Sequence, residues 1–137
     1  MTMSELGFYR IANSKPDQLA LVEPSEKTST RGELLAKANQ LTHALRALGV
    51  SKGDAVATVL PNSVDYYVSY LACAQAGFYM VPINWHLAGP EIAYILEDSG
   101  AKAFIASGSV PAMEEACLKA ISAINFPASG CISTTPI

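Results

Sequence analysis

Apolar residues recur along the chain with two spacings, one typical of helices and one typical of buried strands. Between residues 31 and 48 they follow steps of three and four, which predicts a helix with one apolar stripe. Thr30 and Glu33 have the spacing of a capping box, so the helix should begin after Thr30. Gly49 suits the left-handed position that ends a helix. The stripe, which we expect to lie on a sheet, comprises Leu34, Ala38, Leu41, Leu45 and Leu48.

Shorter apolar runs alternate with further helical patterns in the rest of the chain. Three runs predict strands, at 55–60, 79–83 and 103–106. Helical patterns predict three more helices, at 64–76, 90–96 and 111–124. Because strand–helix–strand units place their strands in parallel, the sequence predicts an open α/β fold with a mainly parallel sheet and flanking helices.

The two ends of the chain are less regular. Residues 4–14 predict a short helix that stops before Pro16, and residues 18–22 predict a strand with which residues 28–29 could pair. After residue 125 no periodic pattern remains, so we interpret residues 126–137 as a loop or frayed end.

Five short motifs follow one another in the chain. The longest extends from Leu71 to Asn84, ends Val-Pro-Ile-Asn, and is followed by a passage that contains Asp-Ser-Gly-Ala at 98–101. The other three are Thr-Arg-Gly-Glu-Leu at 30–34, Leu-Gly-Val-Ser-Lys-Gly-Asp-Ala-Val-Ala at 48–57 and Pro-Asn-Ser at 61–63. In this order they resemble the motifs of the adenylate-forming, AMP-binding acyl-CoA synthetases over about residues 8–105. Arg31 stands where that family has a tyrosine.

The resemblance implies a function for the complete enzyme. Such an enzyme joins a carboxylic acid to AMP with release of pyrophosphate and then transfers the acyl group to CoA, so ATP, magnesium and CoA are implied. The sequence Val-Pro-Ile-Asn-Trp-His-Leu at 81–87 resembles the corresponding segment of the family members that act on fatty or aromatic acids. Residues 1–125 would form the N-terminal part of the ligase domain.

The motifs that perform this family's chemistry have no counterpart among these 137 residues. The family binds phosphate with a Ser/Thr/Gly-rich loop that ends Pro-Lys-Gly, and neither this loop nor another phosphate-binding glycine motif occurs. The family's adenine and ribose contacts, its magnesium-binding acid and its C-terminal lysine also lie downstream. We therefore assign no catalytic, cofactor-binding or metal-binding residue here, and expect a scaffold segment that is inactive alone.

Several residues could belong to a site, but a structural role accounts for them better. Asn84-Trp85-His86 follows a predicted strand, where ligands of open α/β sheets bind, but a turn with a packed Trp explains it as well. His43 lies on a polar helix face. An aromatic group could line an acyl pocket or belong to the core: Tyr66, Tyr67, Tyr70, Phe78, Tyr79 and Trp85. The acids at turns and helix ends fit capping better than metal binding: Asp54, Asp65, Glu91, Glu97 and Asp98.

Composition argues against several other classes of protein, such as nucleic-acid-binding, membrane-spanning and secreted proteins. The net charge of −3 gives no reason to expect nucleic acid as a partner. The longest apolar run, 76–83, is far shorter than the roughly 20 residues of a membrane-spanning helix, and the first ten residues lack secretory features, which favours the cytoplasm. Cys73, Cys117 and Cys131 have no Cys-x-x-Cys spacing and are interpreted as core or idle thiols.

The partner we expect is the remainder of the ligase domain or a second copy of the chain. The helix at 64–76 has little polar surface, so a segment of this kind should leave an apolar patch uncovered. We place the contact at Tyr67, Val68, Leu71 and Tyr79. The alternatives are a non-catalytic α/β interaction module derived from the same fold and, disfavoured by the absent glycine loop, a Rossmann-like nucleotide binder.

Overall fold

The structure is a computed structural model in which residues 7–134 are described. The helices are α1 (Gly7–Ser14), α2 (Arg31–Ala47), α3 (Val64–Ala76), α4 (Gly89–Ser99) and α5 (Pro111–Ala123). The strands are β1 (Leu19–Val22), β2 (Thr28–Thr30), β3 (Ala55–Val59), β4 (Tyr79–Pro82), β5 (Ala103–Ser107) and β6 (Cys131–Thr134). A 3-10 turn, Ala128–Gly130, precedes β6.

Four of the strands form one parallel sheet in the order β4-β3-β5-β6. The chain leaves the inner strand β3 through α3 to reach β4 on one side, then crosses through α4 to β5 on the other side. The predicted parallel α/β sheet is therefore confirmed. Strands β1 and β2 pair antiparallel in a separate hairpin, as expected for residues 28–29.

The alternation of side chains along the strands separates two apolar cores. In β3, Val56 belongs to a cluster with Leu45 of α2 and Cys73 of α3. Its neighbour Ala57 belongs to a second cluster, which contains residues of α4 and α5 such as Ile92. Because successive strand residues point to opposite faces, α2 and α3 cover one face of the sheet and α4 and α5 cover the other.

Helix α2 begins at the predicted capping box. The Thr30 hydroxyl accepts a hydrogen bond from the Glu33 amide at 3.2 Å, and the Glu33 carboxylate accepts one from the Thr30 amide at 2.8 Å. Each side chain thus satisfies an amide that the first turn leaves free.

The predicted position of the α2 stripe is partly wrong. Leu34 and Ala38 are buried, but they lie against α1 and α3 and not on the sheet, because α3 occupies that surface. Leu45 alone among the buried stripe residues joins the cluster that includes sheet residues. Leu48 is 39% exposed, since α2 ends at Ala47 and Leu48 is its C-cap.

Side chains also connect the helices on this face. The Tyr9 hydroxyl of α1 donates to the Leu71 carbonyl of α3 at 2.8 Å, and the Thr42 hydroxyl of α2 donates to the Ala72 carbonyl at 3.2 Å. Burial, and to a smaller extent Tyr70 and Cys73, raise the pKa of Tyr9 to about 12. Tyr9 therefore stays protonated and keeps its hydrogen bond across the ordinary pH range.

The interpretation of residues 126–137 as loop is wrong for part of that range. Residues 131–134 form β6 and pair with β5 in parallel, with Phe104 opposite Cys131. Four residues are too few to show a period, and the pairing comes from a strand that is distant in sequence. Residues 135–137, like residues 4–6 of the predicted first helix, lie outside the described range.

Candidate functional site

A polar cavity of about 460 Å³ lies at the carboxyl ends of β3, β5 and β6. The chain reverses its direction of progress across the sheet between β3 and β5, and ligands of open α/β sheets bind at such switch points. Five hydroxyl side chains line the cavity, those of Ser25, Ser63, Ser107, Ser109 and Thr134. Two lysines and two acids complete its charged lining, Lys27, Lys37, Glu23 and Asp65.

Most of these polar groups already have protein partners. The Ser107 and Ser109 hydroxyls lie 2.6 Å apart, and the Ser109 amide donates to the Ser107 hydroxyl at 3.1 Å. Ser63 caps α3 by accepting from the Tyr66 amide at 3.4 Å. The Thr134 hydroxyl is buried and makes no hydrogen bond within the described structure.

The charges of the cavity lining balance one another. The carboxylate of Glu23 accepts from the Val64 amide at 3.4 Å, at the start of α3, where the helix dipole favours a negative group. Two lysines offset Glu23 and Asp65, and no histidine or cysteine is among the lining residues. This lining can hydrogen-bond a polar group, but it supplies neither a nucleophile paired with a base nor a glycine loop for phosphate.

The sequence pattern does not identify the hydroxyls and lysines of this cavity as site residues. A signal for Ser107 and Ser109 does exist, because both follow the carboxyl end of a predicted strand. Lys27 and Lys37 carry no such signal, since the β1–β2 hairpin and α2 reach the cavity only through the tertiary fold.

The Asn84-Trp85-His86 triplet forms a turn outside this cavity. The Asn84 side-chain carbonyl accepts from the His86 amide at 2.9 Å. Trp85 packs against the core on the α4 and α5 face, and its ring lies 3.6 Å from that of the exposed His86. These contacts support the structural interpretation of the triplet. His43 is exposed on α2, as predicted.

The six aromatic candidates do not form one pocket. Phe78 is buried in the core, Trp85 lies on the α4 and α5 face, and Tyr79 is exposed at the start of β4. Three of the six line an open groove of about 660 Å³ beside β1: Tyr66, Tyr67 and Tyr70.

The expected contact residues of α3 are also partly wrong. Val68 and Leu71 are buried among residues of α1 and α2. Tyr67 and Tyr70 are 53% and 56% exposed, so they form the open side of the helix. When a helix has apolar residues on every side, its sequence does not show which side is buried. In α3 the packing of α1 and α2 decides which side is covered.

Two of the acidic candidates accept hydrogen bonds from backbone amides, one at a turn and one at a helix start. The Asp54 carboxylate accepts from the Ser51 amide at 2.8 Å, and the Glu91 carboxylate accepts from the Ala88 amide at 2.9 Å. Asp65 lies in the first turn of α3, while Glu97 and Asp98 are exposed. Within residues 7–134, no three of the Asp, Glu, His and Cys side chains lie together as metal ligands would.

Two of the thiols belong to the core, as expected. Cys73 and Cys117 are buried in clusters on opposite faces of the sheet. Burial raises the pKa of each of them to about 11, so both are protonated at neutral pH. Cys131 is only half-buried.

Comparison with known proteins identifies a family that has this sheet and these motifs. The sequence profile of the family described as AMP-binding enzyme matches residues 8–132. The chain belongs to the AMP-binding enzyme family. The predicted resemblance to adenylate-forming ligases is thereby confirmed, and it extends beyond the motifs to nearly the whole chain.

Relatives within the AMP-binding family are much longer than this chain. The long-chain-fatty-acid–CoA ligase FadD13 of Mycobacterium tuberculosis is 43% identical over 95 residues, which are 69% of this chain and 19% of that protein. A benzoate CoA ligase from Burkholderia xenovorans LB400 superimposes with a TM-score of 0.79 at 27% identity, over 95% of this chain and 25% of its own. The N-terminal domain of FACL13 from M. tuberculosis gives a TM-score of 0.76 at 34% identity, over 93% and 32%.

The chain therefore corresponds to an N-terminal portion of such ligases. It spans about a fifth to a quarter of the length of the two ligases and about a third of the isolated FACL13 domain. Its fold is that of the N-terminal region of adenylate-forming ligases. In the described range, no helix combines the length and the apolar character needed to cross a membrane.

Proposed function

We propose that this chain is the N-terminal scaffold of an ATP-dependent acyl-CoA synthetase, and that it does not catalyse the reaction alone. The observation that carries the proposal is the family match over residues 8–132, together with similarity to a portion of ligases more than three times as long. The scaffold supplies the parallel sheet and the two helical layers against which the rest of the ligase folds. Its strand β6, Cys131–Thr134, forms one edge of that sheet.

In the complete enzyme a carboxylic acid reacts with ATP to form an acyl adenylate and pyrophosphate, and the acyl group then passes to CoA. ATP, magnesium, CoA and the acid are bound by residues outside this segment. The relatives are described as ligases of long-chain fatty acids and of benzoate, so we propose a fatty or aromatic acid as substrate. We place the enzyme in the cytoplasm.

The surface that the rest of the enzyme would cover is the groove beside α3. We call it the tyrosine face and define it by Tyr66, Tyr67, Tyr70, Leu21 and Val22. These side chains present apolar area with hydroxyl groups at its margin, a composition enriched at protein interfaces. Glu23 is the single charged residue in the lining of the groove. Chain from the remainder of the ligase domain, or a second copy when that is missing, would remove this area from water.

We expect the isolated chain to self-associate through the tyrosine face. Light scattering across a dilution series should show dimers or larger species, together with binding of a dye specific for apolar surface. Replacing both Tyr67 and Tyr70 by lysine should shift the species to monomer, because two charges in the contact oppose its desolvation. Tyr94→Lys is the matched control, since Tyr94 is 68% exposed on α4. A stable wild-type monomer that binds no dye would instead favour the non-catalytic interaction module.

Purified residues 1–137 should show no carboxylate-dependent exchange between ATP and pyrophosphate. The expectation rests on the sequence, which contains neither the family's phosphate loop nor its lysine. Isothermal calorimetry with millimolar ATP and magnesium should show no saturable binding. Stoichiometric ATP binding would contradict the scaffold proposal and support a nucleotide-binding function at the carboxyl edge of the sheet.

A further inference from the structure

Two cysteines from different elements point into the same core. In β6, Cys131 is opposite Phe104 of β5, and Phe104 belongs to the core on the α4 and α5 face. The next residue, Ile132, packs into the core on the other face. The alternation along β6 therefore directs the Cys131 side chain toward α5.

The second cysteine lies on helix α5. Cys117 is buried in the same core, on the face of α5 that also carries Met113 and Ala120. A cavity of about 130 Å³ is lined by both Cys117 and Cys131, so the side chains have room to change rotamer. The two thiols also interact electrostatically, since Cys131 contributes to the raised pKa of Cys117.

The third cysteine cannot compete for this pairing. Cys73 of α3 is buried in the core on the opposite face of the sheet. The sheet itself therefore separates it from Cys117 and Cys131. An intramolecular disulfide that leaves the fold intact can therefore form only between Cys117 and Cys131.

We propose that Cys117 and Cys131 form a reversible disulfide that joins α5 to the edge strand β6. A low-molecular-weight disulfide, such as oxidised glutathione, is the oxidant. The Cys131 thiolate attacks one of its sulfurs and releases one reduced glutathione; the Cys117 thiolate then attacks the Cys131 sulfur and releases the second. Two protein thiols lose their protons and two electrons pass to glutathione. The bond would fix β6, whose last residue, Thr134, lines the polar cavity.

Access and acidity determine the order and the rate of these steps. Cys131 is partly exposed, and its thiol donates only a long hydrogen bond of 3.6 Å to the Pro127 carbonyl, so it reacts first. Burial, followed by Cys131 and Glu114, raises the pKa of Cys117, and burial raises that of Cys131. Since the thiolate is the reacting form, the rate should rise steadily as the pH is raised above 7.

The test is oxidation of the full 137-residue chain by oxidised glutathione at pH 8.5, followed by intact mass and a non-reducing digest. We expect a loss equal to two hydrogen atoms, a peptide that links Cys117 to Cys131, and reversal by dithiothreitol. Circular dichroism before and after oxidation should be unchanged. The thermal midpoint should rise by roughly 5 °C or more, because the crosslink restricts the unfolded chain.

Three variants complete the design. Cys117→Ser should hold one glutathionyl group on Cys131, Cys131→Ser should leave Cys117 unmodified, and Cys73→Ser should still form the disulfide. A folded wild-type chain that keeps a glutathionyl group on Cys131 without forming the linked peptide would overturn the proposal. A linkage that includes Cys73, or one that occurs only between chains, would overturn it as well.

Discussion

Replacing Leu45 by alanine should lower the free energy of unfolding by about 2–5 kcal/mol, whereas the same replacement at Leu48 should lower it by only about 1 kcal/mol. Leu45 is fully buried where α2 meets the core that contains Val56 and Ile105, and Leu48 is 39% exposed beyond the end of α2. Truncation at Leu45 loses apolar burial and leaves a cavity that close-packed neighbours cannot fill.

Urea unfolding followed by circular dichroism measures both changes. The two variants and the wild type should be compared at one protein concentration, because self-association would otherwise add to the apparent stability. The Tyr67→Lys, Tyr70→Lys background provides a second comparison in which association is weakened. Equal losses at Leu45 and Leu48 would contradict the position assigned to α2.

The elements of this fold that carry local signals were predictable from sequence. The capping box at Thr30 fixed the start of α2, and Ser63 together with Gly77 bounds α3 at the predicted residues, Val64–Ala76. Ser63 accepts the first-turn hydrogen bond, and Gly77 takes the left-handed conformation that ends the helix, with a φ of 73°. Both signals act within four residues, so they survive without knowledge of the tertiary structure.

The features that depend on distant contacts were not predictable in the same way. Strand β6 exists because β5 offers an edge, and its four residues show no period of their own. The predicted α3 contact included Val68 and Leu71, but α1 and α2 cover that side and leave Tyr67 and Tyr70 open.

The polar cavity also required the fold. Its lining comes from the β1–β2 hairpin, α2, α3 and the ends of β5 and β6, and its most distant members, Glu23 and Thr134, are separated by more than a hundred residues of sequence. A sequence pattern reports the neighbours of a residue along its own element, not those that a crossover connection brings to the same edge of a sheet.

Transplanting residues 8–132 into FadD13 of M. tuberculosis, in place of the matching segment, should give an enzyme that still makes acyl-CoA from a long-chain fatty acid. A scaffold contributes the sheet and its covering helices, and the catalytic groups would come from the recipient. The 43% identity over 95 residues favours a compatible core. Mismatched contacts at the new boundary that cost about 1.4 kcal/mol of transition-state stabilisation would lower kcat/KM about tenfold.

Two variants of this chimera identify the contact surface. Tyr67→Lys combined with Tyr70→Lys should lower activity at least a further tenfold or prevent stable folding, because these side chains would be covered by the recipient's chain. Tyr94→Lys, on the opposite face of the sheet, should leave activity within about twofold of the parent chimera. Equal losses in the two variants would argue against the tyrosine face as the contact.

The most direct test of the scaffold function is fatty-acid-dependent ATP–pyrophosphate exchange, measured in parallel for the chimera, for FadD13 lacking the segment, and for residues 1–137 alone. Size-exclusion chromatography and circular dichroism should first establish that the chimera is folded. The scaffold function predicts exchange by the chimera and none by either separate part. A folded chimera without exchange activity, or exchange by residues 1–137 alone, would contradict it.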